Sequence, residues 1–300
     1  MTERLNIRHI RNRKLRAALQ GIAAACLVLL SGVVCPLQSQ AIVNSGAAIV
    51  VSSGTYISSA SMTNTSGTLA NNGSMSITTL ANGGTVQGNG SYTIANTFTN
   101  TGTFTCGTST VTFTGASLTI PALSYNNLTL ANTGLKTFAA GTIGIAGTIS
   151  VTGGATVDAL ANSVTVNYNG TGAQTVGAMK YYNLTISNSG TSAVTLIAGD
   201  TIFVSNLFTN SASGASFVST NNTFYYNGSS AQTVTPFTYN TLILGGGSTK
   251  TVAASQTANG DVIQIAGTAL VVDNAIVWTI KGNLSIQDAM TNNGAITVGP

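Results

Sequence analysis

Side chains able to do acid–base or nucleophilic chemistry are few in this chain and far apart. Beyond residue 41 the carboxylates are Asp158, Asp200, Asp261, Asp273 and Asp288, the amines are Lys136, Lys180, Lys250 and Lys281, and the thiol is Cys106. His, Glu and Arg do not occur in that stretch. A Ser-His-Asp or Cys-His relay needs an imidazole to take the nucleophile's proton, so neither can be built there. A zinc site needs several His or Cys ligands, and these are also missing. Glycoside hydrolysis needs two carboxylates roughly 5–9.5 Å apart. No two aspartates are close in sequence, so only tertiary folding could pair them. A β-helix enzyme acting on acidic polysaccharide would want a cationic groove, which four scattered lysines do not supply. The chain is expected to be non-catalytic and to hold no metal or cofactor.

The remaining suggestive residues have plain structural readings. Gly245-Gly246-Gly247 lacks the following Gly-Lys-Ser/Thr of a phosphate loop and reads as a turn. Trp278 could be a sugar-stacking platform, but its apolar neighbours from Ala275 to Ile280 point to the core. Lys136 and Lys250 occupy equivalent positions and are expected in solvated, outward-facing turns. Asn127-Leu128-Thr129 and Asn183-Leu184-Thr185 match the glycosylation pattern, yet fall inside strand-like motifs.

The elements carrying these residues are short strands. Alternating runs are broken by Asn-Gly, Gly-Gly, Asn-Asn and Ser-Gly pairs, and no window has the period of an amphipathic helix. Between Thr97 and Cys106, threonines at 97, 99, 101, 103 and 105 alternate with Phe98, Asn100, Gly102, Phe104 and Cys106. Successive side chains of a strand face opposite ways. Phe98 and Phe104 are thus expected inward, Cys106 with them as a small buried hydrophobe, and Thr97, Thr99, Thr101, Thr103 and Thr105 outward as one flat face that could bind a ligand.

The first 41 residues differ in kind. Arg4, Arg8, Arg11, Arg13, Lys14 and Arg16 precede an apolar stretch from Ala17 to Val34, and Ser39-Gln40-Ala41 resembles a cleavage site. A secretory signal peptide, forming a helix and removed after Ala41, is expected; a retained anchor is the alternative. The net charge of +4 belongs to this leader, because the remainder has four lysines against five aspartates. No nucleic-acid surface is therefore expected. One thiol after the leader allows no internal disulfide framework.

The chain also repeats. Tyr125-Asn126-Asn127-Leu128 returns as Tyr181-Tyr182-Asn183-Leu184 and Tyr239-Asn240-Thr241-Leu242, with the three leucines almost evenly spaced. Ala173-Gln174-Thr175-Val176 returns as Ala231-Gln232-Thr233-Val234, and Tyr168-Asn169-Gly170 as Tyr226-Asn227-Gly228. This predicts an all-β fold, a β-solenoid (parallel β-helix) of repeats of about 57 residues, each two or three coils of about 20 residues. Leu128, Leu184 and Leu242 would then stack in one column beside Tyr125, Tyr181 and Tyr239. A string of small sandwiches is the alternative. The expected organisation is a signal peptide over 1–41, a Ser/Thr/Asn/Gly-rich β segment over 42–107 and tandem β repeats over 108–300. Because 291–299 echoes 99–107, where a full repeat follows, the last repeat reads as incomplete.

The Tyr-Asn-Asn-Leu-Thr-Leu, Gly-Ala-Gln-Thr-Val and Thr-Asn-Asn-Gly elements, covering about residues 96–300, resemble bacterial cell-surface β-strand-repeat proteins, similar to adhesin and autotransporter-passenger β-helices. The resemblance implies a secreted or cell-surface bacterial protein, structural or adhesive, with itself, cell-surface glycans or other surfaces as partners. Membrane contact would come only through the leader or a missing C-terminal anchor. A carbohydrate- or ice-binding module using the flat threonine face, and a β-helix enzyme degrading polysaccharide, are the competing functions.

Overall fold

The computed structural model describes residues 27–29, 41–214 and 216–299. Threonine, valine and isoleucine favour extended backbone, and glycine and asparagine punctuate it every few residues. The result is a succession of short strands, with no α-helix among the described residues. None of the described residues form a helix long and apolar enough to cross a membrane. The strands pair in parallel with strands one turn earlier and one turn later, as Leu128 does with Val111 and Ile149. The chain is thus a β-solenoid of about 13 turns.

Each turn has three walls. In one turn near the C-terminal side these are Thr241–Leu244, Ser248–Val252 and Gln256–Ala258. The next turn lays Val262–Gln264, Thr268–Val272 and Val277–Ile280 over them. We call the wall of Gln256–Ala258 the first, that of Thr241–Leu244 the second and that of Ser248–Val252 the third. Longer strands such as Lys180–Ile186 and Thr201–Asn210 bend round a corner, with the register shift falling between Tyr181 and Asn183. Turn length varies with the corners: the turn that brings Val86 over Leu69 is short, and the one that brings Phe208 over Leu184 is long.

Inward positions form one continuous apolar core. Met75, Tyr92, Val111 and Leu128 stack in one column of it, with Ile77, Ile94, Phe113 and Leu130 beside them. Trp278 is fully buried, which removes it as a sugar platform. Tyr125, Tyr181, Tyr239, Leu128, Leu184 and Leu242 are all fully buried as well.

The three leucines do not share a column. Leu128 is on the first wall between Val111 and Ile149, Leu184 on the third between Val166 and Phe208, and Leu242 on the second between Phe224 and Val262. Each sequence repeat falls one wall short of three full turns, so the motif precesses around the rod. The repeat encodes a local lock instead. Gln232 Nε2 donates to the Val204 and Asn206 carbonyls of the turn below, and its Oε1 accepts from Gly228 N. Gln174 does the same with Ile145, Gly147 and Gly170. The Tyr168 and Tyr181 hydroxyls meet at 2.9 Å, and those of Tyr226 and Tyr239 at 2.8 Å.

A second lock occupies the corner between the second and third walls in the early turns. The Nδ2 of Asn44 donates to Asn64 Oδ1 at 2.8 Å, Asn64 to Asn82 at 2.7 Å and Asn82 to Asn100 at 2.6 Å. A stack of identical corners lets each amide donate to the next, so these polar groups are buried with their hydrogen bonds made.

Lys136 and Lys250 are not in solvated turns. Both are fully buried, on strands Gly134–Phe138 and Ser248–Val252. Lys250 Nζ donates to the carbonyls of Gly228 (2.7 Å), Gly247 (3.0 Å) and Ser230 (3.2 Å), so backbone oxygens replace its water shell. Burial lowers the Lys136 ammonium and brings that of Lys250 down to about 8. An unfolded Lys250 keeps its proton up to about 10.4. Between these values the unfolded chain binds more protons, so stability rises with pH through the window and falls again as pH returns toward 8. Above about 10 the buried phenols oppose this: desolvation raises Tyr168, Tyr181, Tyr226 and Tyr239, so their contribution fades as the unfolded phenols ionise. Urea unfolding is expected to show stability climbing from pH 8 to 10 in the parent and much less in Lys250→Met. Parallel profiles for the two would refute this.

Cys106 is not a buried small hydrophobe. It is half-buried in the turn after Thr103–Thr105, where strand alternation has ended, and its Sγ donates to the Ser124 carbonyl at 3.2 Å. Of the expected signal peptide only Leu27–Leu29, a strand pairing with Ile49–Val51, and Ala41, the first residue of the strand Ala41–Val51, are described; the rest of the leader lies outside the described residues.

Candidate functional site

Four of the five aspartates serve as corner clips. Asp158 Oδ1 accepts from the backbone N–H of Leu160 and Ala161, Asp200 Oδ1 from Thr201, and Asp261 Oδ1 from Asn283. Asp288 accepts from Gly267 and Ala289, and these two N–H groups hold its carboxyl below the usual range. Among the described residues no three His, Cys, Asp or Glu side chains gather where they could hold a metal ion.

Thr97, Thr99, Thr101, Thr103 and Thr105 are all exposed, but they do not form one plane. Thr97 and Thr99 belong to the second wall, stacked on Thr79 and Ala81. Thr103 and Thr105 belong to the third, stacked on Thr85 and Gln87. Thr101 is at the corner between them. The alternation is right for each strand, but the Asn100-Thr101-Gly102 corner turns the chain in the middle of the run.

A flat hydroxyl surface exists elsewhere, on the first wall. Ser58, Ser76, Thr93, Thr112, Thr129 and Ser150 stack in register in one outward column. Ser74, Ser91, Thr110 and Asn127 form a second column beside it. Neighbouring rungs are about 4.8 Å apart and the two columns about 6.7 Å apart, as strand geometry requires. Side-chain bonds link rungs: Ser91 Oγ donates to Ser74 Oγ at 3.0 Å, and Asn127 Oδ1 accepts from the Thr148 hydroxyl at 3.0 Å.

The second wall has a different character further along. A polar depression of about 200 Å³ is lined by Asp200, Thr201, Asn222, Thr223, Asn240 and Thr241, drawn from three successive turns. Asn222 is 3 % exposed; its Oδ1 accepts from Ser219 Oγ at 3.1 Å, while its Nδ2 has no partner in the protein. Further along the same strands, Phe203 and Tyr225 face outward on adjacent rungs with ring centroids 5.5 Å apart.

Comparison with protein-family models, with curated proteins and with solved structures finds no match. Function is therefore assigned from the geometry itself.

The depression was not anticipated from the sequence. Its signal is an Asp or Asn followed by Thr at 200–201, 222–223 and 240–241, one per turn. The outward aromatics are masked because Ile202-Phe203-Val204 and Phe224-Tyr225-Tyr226 are continuous apolar runs in which alternation cannot be read.

Proposed function

We propose that this chain is an exported, non-catalytic structural and adhesive protein of a bacterial cell surface or extracellular matrix. The observation that supports this best is the uninterrupted parallel stack of about 13 turns, with polar walls around one apolar core. At about 4.8 Å per turn it makes a rod about 60 Å long. Such a rod offers extended lateral surface and puts its chemistry into holding shape. The leader accounts for export, and the partners of this reading are cell-surface glycans, other surfaces and further copies of the chain. In the test, purified protein lacking residues 1–41 is expected to adhere to bacterial cells or polysaccharide-coated surfaces, or to self-associate on concentration. A protein that stays monomeric and adheres to nothing would end the proposal.

A second reading is favoured by the paired hydroxyl columns of the first wall. Regular donors and acceptors at strand spacing suit an ordered, hydroxyl-rich surface such as ice or a crystalline carbohydrate. Replacing Thr93 and Thr112 with tyrosine in the same assays is expected to abolish adhesion on this reading alone.

A further inference from the structure

We infer that the corner formed by Asp200, Asn222 and Asn240 binds one ring of a neutral glycan chain, with Tyr225, braced by Phe203, as the apolar platform beside it. This rests on the adhesive reading and names its partner.

The polar half of the site has free hydrogen-bonding capacity. Asp200 uses Oδ1 on Thr201 N, and its Oδ2 has no partner. Asn222 Nδ2 is buried and unpaired, so it carries a desolvation cost that a ligand acceptor would remove. Neither the Asn240 amide nor the hydroxyls of Thr201, Thr223 and Thr241 are committed within the protein. The depression therefore presents carboxylate and amide acceptors beside amide and hydroxyl donors, a set matched to groups that both donate and accept. Sugar hydroxyls are such groups.

Charge and size narrow the ligand. The one ionised group lining the depression is a carboxylate, which disfavours acidic sugars and phosphates. One carboxylate is also too few for a dedicated calcium cage. The volume of about 200 Å³ is below the roughly 300–1,000 Å³ of pockets that enclose a small molecule, so it suits one unit of a longer chain.

The apolar half completes the match. In register, Thr201 lies beside Thr223 and Phe203 beside Tyr225, two positions further along their strands, and the Tyr225 ring extends on toward Gly245. Lys180 Nζ is 5.8 Å from the centre of the Phe203 ring, one turn below, so Tyr225, which is half-buried, is the ring of the pair without a cation beside it. Above Tyr225 the outward column continues as Ile243 and Ile263. A glycan running along the rod would place ring faces on this apolar column and hydroxyls over the Asx-Thr corner.

The test is affinity electrophoresis of the protein through gels containing laminarin, xyloglucan or galactomannan, with alginate as the anionic control. At least one neutral polysaccharide is expected to retard the protein. Asp200→Ala and Tyr225→Ala should each weaken that binding tenfold or more, Asp200→Asn should weaken it less, and Thr99→Ala should leave it unchanged. Thermal unfolding checks that the variants are folded. The inference is overturned if no neutral polysaccharide retards the protein, if alginate alone does, or if the folded variants bind like the parent. Whole-cell adhesion separates the two claims. Adhesion unchanged in Asp200→Ala/Tyr225→Ala, or lost on protease treatment but not periodate treatment of the cells, overturns the glycan site and leaves the adhesive reading standing. A parent protein that neither adheres nor self-associates defeats the adhesive reading itself.

Discussion

Asn64→Leu is expected to destabilise the early turns by about 3–5 kcal/mol, since leucine keeps the branching of asparagine but is bulkier and apolar, and the site is fully buried. Asn64 is central in the amide ladder. Its Nδ2 donates to Asn82 Oδ1 and the Thr85 carbonyl at 2.7 and 3.0 Å, while its Oδ1 accepts from Asn44 at 2.8 Å. Leucine leaves Asn82 Oδ1 unpaired inside the protein, at about 1–3 kcal/mol, takes the side-chain donor from the Thr85 carbonyl, and removes a donor–acceptor link to the turn below. Asn64→Asp should be about as harmful, because two acceptors would then face each other at Asn82. At Asn100, the half-buried end of the ladder, the same leucine change should cost only about 1 kcal/mol. Because each turn touches mainly its neighbours, the damage should be local. Hydrogen exchange should accelerate across 44–100 and stay slow across 220–280. A stability within about 1 kcal/mol of the parent would show that the ladder contributes little.

Gly134→Ala is expected to cost about 4 kcal/mol or more, through the backbone and not through a lost contact. Gly134 has φ +108°, and an added Cβ would be 1.8 Å from the Ala116 carbonyl oxygen and 2.5 Å from its carbon. Both are backbone atoms of the preceding turn, so relief requires two rungs to move apart and break the ladder of Lys136, Thr137 and Phe138 with Leu118, Thr119 and Ile120. Gly54→Ala is the control. Its φ is +78°, but nothing lies within 4 Å of the added carbon, so only the left-handed penalty of about 1–2 kcal/mol remains. Denaturant unfolding of both variants tests the comparison, and equal losses would refute the role of close approach at Gly134.

Several features of the fold were legible from residue order. Phe98 and Phe113 alternate with Thr97, Thr99, Thr112 and Thr114, which fixes extended backbone and the side that turns inward, and those phenylalanines are buried. The repeated Gln-Thr-Val and Tyr-Asn-Gly elements mark a local unit, and Gln174 and Gln232 make matching bonds one repeat apart. Where the sequence reading failed, the cause is geometric. Leu128, Leu184 and Leu242 share a motif but stand on three different walls, because corners of unequal length set which wall a residue reaches. Lys136 and Lys250 look like surface residues by type; carbonyl groups brought together at the corners make their burial tolerable, and no local pattern reveals them.

By itself, then, the sequence determined an extended, repetitive, parallel-stacking chain and an expected leader, since alternation and turn chemistry are local properties. Only the tertiary structure decided which repeats share a wall, that the threonine run at 97–105 is split by a corner, that two lysines are internal, and that Asp200, Asn222 and Asn240 line one depression. Each of those depends on how much chain every turn consumes, little between Leu69 and Val86 and more between Leu184 and Phe208. That length accumulates along the rod, and a single insertion or deletion at any corner shifts every later contact.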